Sequence, residues 1–251
     1  MRSSGLRVRS VFCGSLTLVS LLAATVLAAE PSGLDLLVAK DSPLRSGERL
    51  AFLGDSITQQ GAGPGGYARL IDETLKAKRP DLGAEVIYAG ISGHKVPNLQ
   101  ARLDRDVLTK KPTLVLIYIG INDVWHSILP KHQGTSKDAY EAGLRDLIAR
   151  IRQAGATVVL ATPSVIGEKT DHSNKLDQLL DEYAAISRKV ADDTGTPLCD
   201  LHEAFASYLK THNPDNKDRG ILTTDGVHLN AAGNQFVADC VARAIVAARK
   251  K

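Results

Sequence analysis

The sequence predicts an α/β fold: a three-layer α/β/α sandwich with a central, mostly parallel five-stranded sheet. Three observations lead there. Five short apolar runs rich in Val, Ile or Leu recur along the chain, each of strand length. Between them, apolar residues recur at three- and four-residue spacing, which places them on one face of a helix. The alternation of the two patterns is that of βαβ units, whose strands run parallel with helices on both faces. Right-handed crossovers then bring every strand's carboxyl end to one edge of the sheet, where open α/β sheets bind their ligands.

The chain opens with Arg2, Arg7 and Arg9 and no acid, followed by an apolar run from Val11 to Ala29 that ends in Ala28-Ala29 before Glu30-Pro31. A basic start, an apolar middle and a small-residue exit make residues 1–29 a secretory signal peptide, cut after Ala28 or Ala29. The rival is a retained membrane anchor. The run is long enough to span a bilayer, but Gly14, Ser15, Thr17, Ser20 and Thr25 interrupt it. On the cleaved reading the protein is secreted or periplasmic, with no stable membrane insertion afterwards.

The formal charge of +3 comes from 31 basic and 28 acidic residues. Without the three leader arginines the two counts are equal, so the basicity belongs to the leader. Beyond the leader no block of five like charges occurs, and aromatics make up 4% of the chain. A nucleic-acid partner is therefore not expected. Residues 30–47, with Pro31, Gly33, Pro43 and Gly47, read as an irregular lead-in. No linker divides residues 48–251, which form a single domain of ordinary size. Cys13 leaves with the leader; Cys199 and Cys240 either pair or stay as two buried thiols.

The first strand, Leu50–Leu53, stops at Gly54 and is followed by Asp55, Ser56 and Thr58. A Gly-rich loop over 61–66 leads into a helix with Ala68, Ile71 and Leu75 on one face. Ser56 thus sits at a strand's carboxyl end, and Asp55 braces its loop, although Asp and Ser are also ordinary turn and cap residues. The second strand, Ala84–Tyr88, runs into Ala89-Gly90-Ile91-Ser92-Gly93-His94. Here the Gly93 N–H is either a donor to a ligand or part of a plain strand-to-helix turn.

The third strand, Thr113–Ile119, is apolar throughout and therefore central; Gly120-Ile121-Asn122-Asp123 follows it. Asn122 offers a side-chain amide at the mouth of that strand, or caps the next segment. A helix with Tyr140, Leu144, Leu147, Ile148 and Ile151 on one face leads to the fourth strand, Thr157–Ala161. A second helix, with Leu176, Leu179, Leu180, Tyr183, Ile186 and Val190, leads to the fifth, Pro197–Leu201. The last helix carries Phe236, Val237, Cys240, Val241, Ala244 and Ile245 on one face.

Ahead of that helix stands Thr224-Asp225-Gly226-Val227-His228-Leu229-Asn230. A carboxylate three residues from an imidazole can hold one ring nitrogen while the other faces a site. Two other readings stay open: Asn230 caps the helix and His228 is incidental, or the pair binds a metal. Metal sites take three or four protein ligands, and His94, His126, His132 and His172 are scattered. No metal and no cofactor are expected. Together, Ser56, His228, Asp225, Gly93 and Asn122 supply a nucleophile, a base, its orienting carboxylate and oxyanion donors, the set that acyl transfer to serine requires.

In these residues the chain resembles the SGNH hydrolases, also called the GDSL esterase/lipase family, with a flavodoxin-like fold. Gly54-Asp55-Ser56 resembles the first signature block and implies Ser56 as nucleophile. Ile91-Ser92-Gly93 resembles the second and Gly120-Ile121-Asn122-Asp123 the third; they imply an oxyanion hole of the Ser56 and Gly93 amides with Asn122. Asp225-Gly226-Val227-His228 resembles the last and implies Asp225 and His228 as the other triad members. Two positions depart from the pattern: Tyr88 stands where the family often has Asn, and Leu229 where it often has Pro. Gly-x-Ser-x-Gly does not surround Ser56, which speaks against an α/β-hydrolase elbow.

The ester is less legible. Few aromatics and polar edge loops favour removal of short acyl groups, above all acetyl, from carbohydrate over a lipase-like channel. Trp125 is either a sugar platform or a packing residue. A lysophospholipase or thioesterase of broad acyl preference is the alternative enzyme. A secreted carbohydrate-binding protein on the same fold is the alternative outside catalysis.

Overall fold

In the computed structural model, five strands, β1 (Arg49–Gly54), β2 (Glu85–Gly90), β3 (Leu114–Tyr118), β4 (Thr157–Ala161) and β5 (Leu198–Cys199), form one sheet in the order β2-β1-β3-β4-β5. All four pairings are parallel. The structure describes Met1 and residues 30–250; apart from Met1, the leader assigned to residues 1–29 lies outside the described residues. Residues Pro31–Lys251 form one compact unit.

Each strand lies within a residue or two of its expected place, except that the fifth is cut to two residues. There Asp200 accepts a hydrogen bond from the Glu203 N–H and starts a helix at Leu201. β3 is buried along its whole length, as a strand covered on both faces must be. β2, at an edge, alternates buried Ile87 and Ala89 with half-buried Val86 and Tyr88.

The helices are α1 (Gly33–Val38), α2 (Ser56–Gly61), α3 (Tyr67–Lys78), α4 (Val96–Asp106), α5 (Ile121–Trp125), α6 (Lys137–Gln153), α7 (Asp177–Thr194), α8 (Leu201–His212) and α9 (Ala231–Arg249). α1, α3 and α9 pack together, and α4, α6 and α7 form a second group. This division follows from handedness. The β1-to-β2 crossover runs one way along the sheet and the later ones run the other, so right-handed connections place α3 opposite α4, α6 and α7.

Residues 30–47, expected as an irregular lead-in, hold one short helix, α1, between turns and irregular segments. Ser32 caps α1 by accepting from the Asp35 N–H at 3.1 Å, and Leu37 is fully buried. The Gly33 N–H donates to the Asp239 carboxylate of α9, and the Arg243 guanidinium donates to the Pro31 carbonyl at 2.5 Å. Six residues flanked by Pro and Gly are too short to show a helical period; the helix exists because α9 covers its apolar side. Cys199 and Cys240 carry free thiols, the first buried and the second half-buried. At the amino edge of the sheet, the nearly buried Glu48 and Arg249 pair at 2.5 Å, joining the end of α9 to the start of β1.

Truncating Leu37 removes a fully buried side chain at the α1–α9 contact. Leu37→Ala is expected to cost about 2–4 kcal/mol, read as a lower urea midpoint at unchanged m-value.

Candidate active site

β1 passes directly into α2. Asp55 is the N-cap and accepts from the Ile57 N–H at 2.9 Å, so Ser56 occupies the first helical position with its N–H free of intrahelical bonding. α2 lies hard against the end of β2. A Cβ on Gly90 would overlap the backbone of Thr58 and Gln59, so only glycine allows that approach. On its inner side Thr58 shares a buried hydrogen bond of 2.9 Å with the Tyr67 hydroxyl.

The last expected block meets Ser56 across 172 positions of sequence. Ser56 Oγ lies 2.9 Å from His228 Nε2, and His228 Nδ1 lies 2.7 Å from Asp225 Oδ2. With the Nδ1 proton donated to Asp225, Nε2 is the acceptor for the serine hydroxyl. The other oxygen of Asp225 accepts from the N–H groups of Val227 at 3.0 Å and His228 at 2.8 Å. Partial burial works against this carboxylate, but the bonds from His228 and Val227 outweigh it and hold its pKa below the ordinary value. An antiparallel bridge between Thr223 and Leu229 closes the loop. Asn230 does cap α9, accepting from Gly233 N–H at 2.9 Å; cap and carboxylate–imidazole pair coexist in one segment.

Gly93 and Asn122 sit on neighbouring loops of the same edge. Gly93 has φ +74°, a backbone form that side chains resist, and its N–H meets no acceptor among the described residues. Asn122 is buried and donates one amide hydrogen to the His94 carbonyl at 3.1 Å, which leaves the second unspent. Two bonds tie the Gly93 loop back to the serine's own segment: Ile91 N–H to the Gly54 carbonyl at 3.2 Å and Ser92 N–H to Gln59 Oε1 at 2.8 Å. Tyr88 makes neither of these; its hydroxyl donates to Asp72 on α3.

Arg102 escaped the sequence reading. Its guanidinium is buried on α4 and donates to the carbonyls of Gly54 at 2.8 Å and Ala89 at 2.9 Å. It also reaches His94 Nδ1 at 3.0 Å and Asp106 at 3.2 Å. One side chain thus stitches the ends of β1 and β2 to the loop that carries Gly93. The signal was an arginine sharing the apolar face of Leu99 and Leu103, a place where a charge needs partners.

Trp125 is half-buried, its ring edge-on to the His228 imidazole with centroids 6.5 Å apart. It lines a cavity of about 340 Å³ with Ile128, Ile166, Lys169, Asn174 and Asp225. The tryptophan both packs against the core and walls the cavity beside Asp225.

Two buried acids lie under the site. Burial pushes the pKa of Asp55 up to about 7 and that of Asp123 up to about 6. Asp123 accepts from the Val96 N–H at 3.1 Å with one oxygen and leaves the other without a partner among the described residues. Between the ordinary carboxylate range and pH 7, folded Asp55 keeps a proton that the unfolded chain has released, so stability falls as pH rises through that window. Asp55→Asn keeps the cap acceptor and removes the titration. The variant is expected to match the parent near pH 4 and to exceed it by about 1–3 kcal/mol at pH 8 in urea unfolding.

The model of the GDSL-like lipase/acylhydrolase family matches residues 52–236. An acetylxylan esterase of Geobacillus stearothermophilus is 36% identical over 214 residues, covering 80% of this chain and 94% of that protein. The isoamyl acetate-hydrolyzing esterase 1 homolog of Rattus norvegicus is 29% identical over 205 residues, covering 75% and 78%. The crystal structure of the acetyl xylan esterase AlAXEase superposes with a TM-score of 0.75 at 46% identity, covering 77% of this chain and 97% of that one. A family match over most of the chain, on the α/β/α fold just described, makes this protein an esterase of the GDSL-like lipase/acylhydrolase, or SGNH hydrolase, family.

Proposed function

We propose that this esterase removes acetyl groups from carbohydrate outside the cytoplasm, using Ser56, His228 and Asp225 as its triad. The observation that carries the reading is the continuous chain of 2.9 Å and 2.7 Å contacts from the serine hydroxyl through the imidazole to the carboxylate. His228 Nε2 takes the proton as Ser56 Oγ attacks the acetyl carbonyl. Asp225 holds the imidazole in its tautomer and offsets the charge it gains. The N–H groups of Ser56 and Gly93 and the free amide hydrogen of Asn122 receive the oxyanion. His228 then gives its proton to the departing sugar oxygen, and later draws one from the water that releases acetate.

Three features favour a sugar acetate. Relatives of high coverage carry the names acetylxylan esterase and acetyl xylan esterase. The cavity beside the triad mixes Trp125 with Lys169, Ser173, Asn174 and Asp218, a lining suited to hydroxyl groups against a ring face. Aromatic residues make up 4% of the chain, few for the apolar channel that the long acyl chain of a lysophospholipase needs. A carbohydrate-binding protein without chemistry would have no use for the aligned serine and imidazole. The basic, apolar and small-residue order of residues 1–29 supports export.

Ser56→Ala and His228→Ala are each expected to lower kcat/KM on p-nitrophenyl acetate by about 10⁴-fold or more with the circular dichroism spectrum unchanged. An active, pure Ser56→Ala protein would refute the triad. Asn122→Ala is expected to lower kcat about 10²- to 10³-fold with less effect on KM. Assay of acetylated xylo-oligosaccharides against lysophospholipid decides the substrate class. Mass spectrometry of the exported protein is expected to find its amino terminus at Ala29 or Glu30; a chain retained whole in the membrane overturns the signal-peptide reading.

A further inference from the structure

Glu168 has no part in the chemistry above, yet it is fully buried in the loop that follows β4. Four donors converge on its carboxylate. Oε2 accepts from the Ile221 N–H at 2.7 Å, and Oε1 accepts from the N–H groups of Leu222 at 2.8 Å and Thr223 at 2.6 Å. The Thr223 hydroxyl supplies the fourth bond, to Oε1 at 2.8 Å. Three successive backbone N–H groups pointing at one anion make a nest. Here the anion is a side chain, and the chain it gathers is the start of the loop that carries Asp225 and His228.

The grip continues beyond Thr223. Having given its hydrogen to Glu168, the Thr223 oxygen accepts from the Gly226 N–H at 3.1 Å. The Gly226 carbonyl in turn accepts from the Gly167 N–H at 2.8 Å. Glu168 itself is fixed from behind: its N–H donates to the Asp218 carbonyl at 2.9 Å, and its carbonyl accepts from Asn213 Nδ2 at 2.8 Å. Residues 167 and 168 therefore hold the loop at 221–223 and again at 226, on either side of Asp225.

We infer that Glu168 is a positioning residue of the esterase, setting the Asp225–His228 loop so that the imidazole reaches Ser56. The inference rests on the proposed triad. Its physical basis is that both Glu168 oxygens only accept, from donors held in fixed backbone directions. A glutamine in its place turns an N–H toward other N–H groups, and an aspartate is one methylene too short to meet them. Either change leaves buried donors unsatisfied and frees the loop to shift. A misplacement of the order of 1 Å is enough to cost about 10²-fold in rate.

The test measures Glu168→Gln, Thr223→Val and Thr223→Ser on p-nitrophenyl acetate, with active serine titrated by a fluorophosphonate. Glu168→Gln is expected to lose about 10- to 100-fold in kcat with KM within about twofold, and to label Ser56 more slowly by a similar factor. The downfield proton resonance of the His228 Nδ1–H···Asp225 bond is expected to broaden or vanish in the same variant. Thr223→Val, which removes the hydroxyl's two bonds, to Glu168 and from the Gly226 N–H, but keeps the three backbone N–H bonds to the carboxylate, keeps the protein testable if Glu168→Gln does not fold; it is expected to lose activity that Thr223→Ser recovers. Folded variants with parental kcat and labelling rate, whatever their Tm, overturn the inference. If Ser56→Ala is inactive at the same time, the triad stands without it; if Ser56→Ala is active, the triad reading itself has failed.

Discussion

A parallel sheet covered by helices on both faces exposes its chemistry only at its rim, and the order β2-β1-β3-β4-β5 determines where on the rim a crevice opens. β1 sends its chain one way and β3 receives it from the other, so the loops that follow them diverge. Ser56 follows β1 and Asn122 follows β3, and the two flank that point. With β1 and β3 almost wholly buried, neither strand end can move without disturbing the core. The rigidity of the site is thus inherited from burial of strands that carry none of its reactive groups.

What the strands cannot supply is the imidazole, which arrives on a loop from the far end of the chain. The loop is held by polar contacts, since its backbone donors would otherwise be buried without partners. The same logic recurs on the other side of the site. Arg102 collects the carbonyls of Gly54 and Ala89 that the ends of β1 and β2 leave over, and Asp123 receives the first N–H of α4. Arg102, Asp123 and Glu168 each take up backbone groups left over where a segment ends or begins.

Asp55 illustrates the cost. As a cap it starts the helix that presents Ser56, but its burial raises its pKa far above that of a surface carboxylate. The site buys its geometry with a group that weakens the fold as pH rises.

The sequence by itself determined the fold class and the place of the five strands, the last of them overlong, and it offered the candidate residues of the site. Strand and helix patterns are local, and the blocks around Ser56, Gly93, Asn122, Asp225 and His228 carry their residue types in order. It did not reveal α1, because the six residues of Gly33–Val38 become a helix only when Leu37 has α9 to pack on. Nor did it decide among the three readings of Thr224–Asn230; the structure holds both the Asn230 cap and an Asp225–His228 pair that reaches Ser56. Arg102 and Glu168 stayed hidden for a deeper reason. Their partners are backbone groups of distant segments, and a main-chain N–H or carbonyl has no letter in the sequence. Only the tertiary structure decides which of them a buried charge will meet.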